Sequence, residues 1–192
     1  MAANTLIKSK QRVADHGEVF TPPHIVEAMI KMVEPEVNRI DSRELEPACG
    51  SGNFLVPILK RKLATVDDQY GRSEFERRHY SLLALISVYG IELLADNAGE
   101  CCQNLLEVFA DHLRLPITDD GDDDPLLAAA RTVLRLDIVN GDALAMKYVS
   151  PPTPIVFSEW AYLGKGDFHR RDFRYDNLTK ARDFQTVESI QS

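Results

Sequence analysis

Between Leu45 and Leu55 the chain reads LEPACGSGNFL. Two glycines, Gly50 and Gly52, and a small thiol, Cys49, separate the acidic Glu46 from a run of apolar side chains. Where a strand hands over to a helix through such a turn, backbone amides at the helix start lack partners, and glycine lets a ligand approach the main chain without meeting a Cβ. Many strand-to-helix turns use glycine only to bend, so the pair alone leaves a ligand site and a plain turn equally open. Two carboxylates add to it. Glu92, in YGIELLADN, ends a second apolar run, where an acidic side chain can accept hydrogen bonds from both hydroxyls of a ribose. Asp142, in NGDAL, ends a third; it can accept from an exocyclic amine or simply cap its own turn. Cys49 reads as a small turn residue rather than a reactive thiol.

The elements that must position these residues alternate between strand and helix. Thr21, Pro22 and Pro23 form a helix start, and Ile25, Met29, Met32 and Val33 then recur at helical spacing up to about Val33. RELEPACGSG predicts a strand ending in the glycine turn, and NFLVPILKRKLATV the helix after it, with Pro57 early enough to kink rather than abolish it. RSEFERRHYSLLALI is a further helix, read as an insertion that lengthens the usual spacing of about 20 residues between a glycine turn and its acid. SVYGIEL, LDIVNGDAL and TPIVFSEW predict strands, NAGECCQNLLEVFADHL and PLLAAARTVLR helices, and PITDDGDDDP a solvated acidic loop. This alternation predicts an α/β fold, an open parallel Rossmann-like sheet of four strands with helices on both faces.

Composition narrows the function classes. A chain of 192 residues, 44% hydrophobic and 27% charged, supports one globular core. A net charge of −8 argues against a protein that coats nucleic acid by itself, because backbone binding comes from cations that neutralise phosphates. Three cysteines, two of them adjacent at Cys101 and Cys102, suit reduced thiols in a cytoplasm. His16, His24, His79, His112 and His169 are scattered without metal-ligand spacing, so no metal is expected. No apolar run reaches the ~20 residues of a membrane span, and the amino terminus lacks the apolar core of a signal peptide.

Taken together, GEVFTPPHIVEAM, LEPACGSGNFLVPIL, YGIEL and NGDAL, in that order from Gly17 to Asp142, resemble the S-adenosylmethionine-dependent DNA adenine-N6 methyltransferases, particularly the modification subunits of type I restriction systems. The resemblance implies a class I methyltransferase sheet and S-adenosyl-L-methionine as cofactor. It implies that Val19, Phe20 and Thr21 meet the methionine end, and that Glu46, Pro47, Ala48, Cys49, Gly50, Gly52 and Phe54 cradle the cofactor. Glu92 and Leu93 would hold the ribose, and Asp142 and Ala143 the adenine.

In that family the fourth strand ends in Asn-Pro-Pro-Tyr or a close variant. There the asparagine and a main-chain carbonyl accept the hydrogens of the adenine amine, and the aromatic stacks on the flipped base. No Asn-Pro-Pro occurs in this chain; TPIVF runs instead into Ser158, Glu159, Trp160, Ala161 and Tyr162. Three readings follow: a divergent enzyme in which Ser158 or Glu159 accepts from the amine and Trp160 or Tyr162 stacks the base; a cofactor-binding or regulatory module without chemistry; or a truncated product that keeps the cofactor half. Trp160 is equally readable as a packing aromatic. Residues 1–16 are expected as an arm or helix, 17–163 as the cofactor domain, and 164–192 as an irregular, mildly basic tail. DNA recognition is expected through a partner subunit, and the open sheet edge after the fourth strand suggests a homo-oligomer.

Overall fold

The computed structural model describes residues 8–118 and 124–179. Residues 119–123 of the acidic loop, the first seven residues of the arm and the tail from residue 180, with Lys180, Arg182 and Asp183, lie outside the described residues. Ser9 caps α1 (Lys10–His16) by accepting the Arg12 amide at 3.1 Å, so the arm is helical from there. Pro22 and Pro23 open α2 (Pro23–Met32), and α3 (Glu34–Val37) follows after Val33. β1 (Glu44–Glu46) ends at the glycine turn, and α4 (Leu55–Tyr70) leaves it. Pro57 lies in the first turn of α4, where its missing N–H has no intrahelical acceptor, and the helix continues through it. The inserted helix is α5 (Glu74–Leu85), capped by Ser73; β2 (Val88–Glu92) and α6 (Ala95–Leu113) come next. Asp124 caps α7 (Pro125–Asp137), which runs directly into β3 (Ile138–Asp142).

β1, β2 and β3 are parallel neighbours in the order β1-β2-β3, with Glu44 opposite Val88 and Gly90 opposite Ile138. Their carboxyl ends carry Glu46, Glu92 and Asp142. The short β4 (Lys147–Tyr148) then folds back antiparallel on β3, so the sheet is mixed rather than wholly parallel.

Helices do not cover both faces. Alternation along β2 sends Val88 into the large core made by α4, α5, α6 and α7, and sends Tyr89 and Ile91 to the opposite face. That second face is covered by Ile155 and Phe157, with Phe173 and Tyr175 packed around them. Phe157 and Phe173 lie opposite each other in an antiparallel hairpin of β5 (Val156–Gly164) and β6 (Asp167–Arg174), and Ile155 and Tyr175 flank its open end. The expected fourth parallel strand is therefore β5 of a separate two-stranded sheet, and the expected irregular tail is its partner β6. The turn explains both differences. Gly164, Lys165 and Gly166 all have positive φ, a geometry that reverses the chain at once and hands it to antiparallel pairing before a crossover helix can form. α8 (Asp176–Thr179) closes the described chain.

One buried cation ties the helical layer to the start of the sheet. Lys62 of α4 is fully buried, and its ammonium donates to the carbonyls of Arg39 (2.9 Å) and Ser42 (2.6 Å) and to the Ser42 hydroxyl (2.9 Å). Burial pushes its pKa down to about 8, while Glu44 and Asp41 pull the other way. Lys62→Met, of similar length and apolar, leaves those oxygens without a donor; urea denaturation is expected to show a loss of about 2 kcal/mol.

Candidate cofactor site

The glycine turn is held by its own backbone and by Glu92. The Cys49 amide donates to the Ile91 carbonyl (3.0 Å), the Gly52 amide to the Cys49 carbonyl (2.8 Å), and the Ala48 amide to the Glu46 carboxylate (3.3 Å). The Gly50 amide donates to Glu92 Oε2 at 2.8 Å. Four amides of the turn are thus taken within the protein, whereas the sequence suggests unpaired ones. Glu92 is buried, and its other oxygen accepts the Leu94 amide at the start of α6 (3.0 Å). One carboxylate therefore joins the turn after β1 to the turn after β2.

Gly50 and Gly52 are both in the left-handed region, at φ +54° and +98°. A Cβ on Gly50 would lie 3.1 Å from the Phe20 ring, and one on Gly52 would lie 3.2 Å from Cys101 Sγ and 3.3 Å from Val56 Cγ2. Phe20 thus covers the turn from the α2 side. Gly52→Ala combines backbone strain with this crowding, so a loss of about 1–3 kcal/mol in thermal unfolding is expected.

Thr21 and Phe20 line a cavity of about 860 Å³ that reaches past Ser51, Gly52 and Asn53 into the groove between α4 and α6. Glu92 and Asp142 are not in its wall. Glu46 is half-buried, and burial raises its carboxyl above the ordinary range. Pro47, Ala48, Val19 and Leu93 are exposed around the turn. Phe54 faces elsewhere: it packs against Val26, Ile30, Val37 and Ile58 beneath α2 and α3. Ala143 packs at the edge of the Tyr89 cluster. Asp142 spends one oxygen, Oδ1, on the amides of Leu144 and Ala145, both at 2.9 Å, which is the turn-capping alternative.

Cys49 is buried beside Cys101, whose thiol is pushed up by its hydrogen bond to Cys49 and by burial, and Cys102 is pushed up to about 11 by burial. These are packed thiols rather than nucleophiles. Among the described residues no group of histidine, cysteine, aspartate or glutamate is placed to hold a metal ion.

Two supports for Glu92 have no sequence motif. Asn140 Nδ2 donates to the carbonyls of Glu92 (3.0 Å) and Leu93 (2.9 Å), locking the tips of β2 and β3 together. Asn97 Nδ2 donates to Glu18 Oε1 at 2.6 Å and lies 3.5 Å from Glu92 Oε1. Glu18 is gripped by Arg12, which also reaches Asp96 at 2.6 Å, so α1 is strapped to the start of α6. The Arg12 guanidinium holds the Glu18 and Asp96 carboxyls below their usual range. Only the fold brings residues so far apart together.

Ser158, Glu159 and Trp160 lie at the other end of the sheet. The Ser158 amide donates to Asp137, the residue just before β3, and its carbonyl accepts from Tyr89 Oη (3.1 Å). Glu159 is ion-paired with Arg43, just before β1, and with Arg171. Trp160 packs against the helical core under Arg170, and with Glu159, Tyr80, Tyr89 and Tyr162 it walls a cavity of about 370 Å³ beside Ile86 and Ser87, at the amino end of β2. The structure places Glu159, Trp160 and Tyr162 together at the amino edge, whereas the glycine turn, Glu92 and Asp142 occupy the carboxyl edge.

A family model described as N-6 DNA methylase matches residues 5–99. Over these 95 of its 192 residues the chain is similar to the N-6 DNA methylase family. The matched stretch contains Phe20, Thr21, the glycine turn and Glu92, and ends within α6; Asp142 and the β5–β6 hairpin lie beyond it. No curated protein and no solved structure matches the chain. None of its described helices is long and apolar enough to cross a membrane.

Proposed function

We propose that this chain binds S-adenosyl-L-methionine at the carboxyl edge of its sheet and serves as the cofactor-holding part of an adenine-N6 DNA methylation system, a cytoplasmic restriction-modification system. The groups that activate the adenine amine and read the DNA come from outside the described residues, through a partner subunit. The observation that carries this reading is the separation of the two edges: the glycine turn and Glu92 meet at one, while Ser158, Glu159 and Trp160 are tied down at the other by Asp137, Arg43 and Tyr89.

The residues at the carboxyl edge suit the cofactor. When bound, it supplies a sulfonium methyl group. Thr21, Ser51 and Asn53 line a cavity able to take the amino-acid end. Glu92, pinned by two amides, keeps acceptor capacity for ribose hydroxyls because a carboxylate offers about four lone-pair sites. Exposed Leu93 offers an apolar flank for a base, and Asp142 Oδ2 an acceptor for its amine. Among the described residues none at this edge combines an acceptor pair with an aromatic platform as Asn-Pro-Pro-Tyr does.

Calorimetry with S-adenosylmethionine and transfer of labelled methyl to adenine-containing DNA test this together. Saturable binding without transfer by the chain alone is expected. Transfer by the chain alone would overturn the division of labour, and no binding would overturn the cofactor assignment.

A further inference from the structure

Helix α2 is apolar on two sides. Val26 and Ile30 are the buried pair, each 2% exposed and packed on α3 and α4. The residues whose helical spacing suggests the core face, Ile25, Met29, Met32 and Val33, are instead 41%, 50%, 83% and 47% exposed. An amphipathic helix docked on a domain ordinarily turns polar side chains to water, and a contiguous apolar stripe facing solvent marks an interaction surface. Methionines in such a stripe adapt their shape to what covers them.

We propose that the exposed stripe of α2 is a homodimer interface, in which α2 packs antiparallel on α2 of a second copy about a two-fold axis through Met29. Three features favour a second copy. The stripe carries no charge, so it can meet its own image although each chain has a net charge of −8. A two-fold through Met29 sets Ile25 level with Val33 of the other copy, apolar against apolar along the whole stripe. The same operation sets the amino end of α2, which has no side-chain cap and no acidic residue in its first turn, level with Glu34 and Glu36 of the other copy, where carboxylates favour the helix dipole. The four side chains expose roughly 400 Å² per copy, about half of the ~800 Å² that each partner contributes to a stable interface and a fair share for its apolar centre. Phe20 and Thr21 immediately precede this helix, so dimerisation would steady the segment that covers the glycine turn.

Sedimentation velocity over a concentration series, with engineered cross-linking, tests the proposal on the full chain. The wild type is expected to be a dimer. Met29→Glu, which brings two carboxylates together at the axis, is expected to be a monomer with unchanged far-ultraviolet circular dichroism. Met29→Cys is expected to form a disulfide-linked dimer on mild oxidation. Lys31→Cys, on the polar side of α2, is expected to give none; the buried Cys49 and Cys101 and half-buried Cys102 supply the background, read from the wild type. A wild type that is monomeric throughout, a Met29→Glu variant that remains dimeric, or a Lys31→Cys variant that cross-links as fast as Met29→Cys would each overturn the assignment. So would a stripe that only a different protein covers. None of these readouts depends on cofactor binding, so this surface and the proposed function stand or fall separately.

Discussion

Raising the pH from about 4 to 8 will weaken the anchorage of the β5–β6 hairpin, and Asp137→Asn will remove most of that dependence. Asp137 is fully buried at the junction of α7 and β3. One oxygen accepts the Ser158 amide (3.1 Å); the other, and the nearby indole N–H of Trp160, lack a well-formed hydrogen bond. Burial raises its pKa from 3.8 to about 7, opposed by the Ser158 amide, Trp160 and Arg170, and assisted by Asp172. Tyr89, pushed up in turn by burial and by Asp137, also faces it.

The sign follows from proton binding. Between about pH 4 and 7 the folded chain holds a proton on Asp137 that the unfolded chain has released, so stability falls as pH rises through this window and levels off above 7. A shift from 3.8 to about 7 corresponds to about 4 kcal/mol at most. His112 acts oppositely, since burial lowers its pKa and the folded state gains as pH rises towards 6.5. The diagnostic quantity is therefore the difference between wild type and Asp137→Asn in urea midpoints measured at several pH values. A difference that stays constant from pH 5 to 8 would show that Asp137 does not titrate in this range.

The second large effect is at Glu92. Glu92→Ala strips acceptors from two backbone amides, Gly50 and Leu94, at a buried position, and is expected to cost about 2–4 kcal/mol of stability. It is also expected to weaken S-adenosylmethionine binding by about 1–3 kcal/mol, because bound hydroxyls lose their acceptor. Glu92→Gln separates the two roles: its single carbonyl oxygen retains one amide bond, so stability recovers in part, while its NH₂ cannot accept from a hydroxyl. Calorimetry below the unfolding temperature of each variant checks this. Unchanged affinity in both would leave Glu92 as a fastener of the two turns and remove it from the cofactor site.

The positions of the three parallel strands and most helices were legible in the residues because each is set locally. Pro22 and Pro23 start α2, and apolar runs end at Glu46, Glu92 and Asp142, which pairing then lines up at one edge. Other features depended on what lay across space. The period of α2 picked out Ile25, Met29, Met32 and Val33, whereas the side that meets α4 carries Val26 and Ile30. The Gly164–Lys165–Gly166 turn was visible as letters, yet whether β5 joined the sheet or reversed into a hairpin turned on which surface remained to be covered. Tyr89 and Ile91 left a bare apolar face, and Phe157 and Phe173 filled it.

The candidate site divides the same way. A glycine turn and an acid at strand ends are short-range chemistry, readable from type and spacing. That Glu92 is already engaged by the turn, that Arg12, Glu18 and Asn97 stand behind it, and that Ser158, Glu159 and Trp160 face the opposite edge are consequences of chain reversal and packing, which no local spacing encodes.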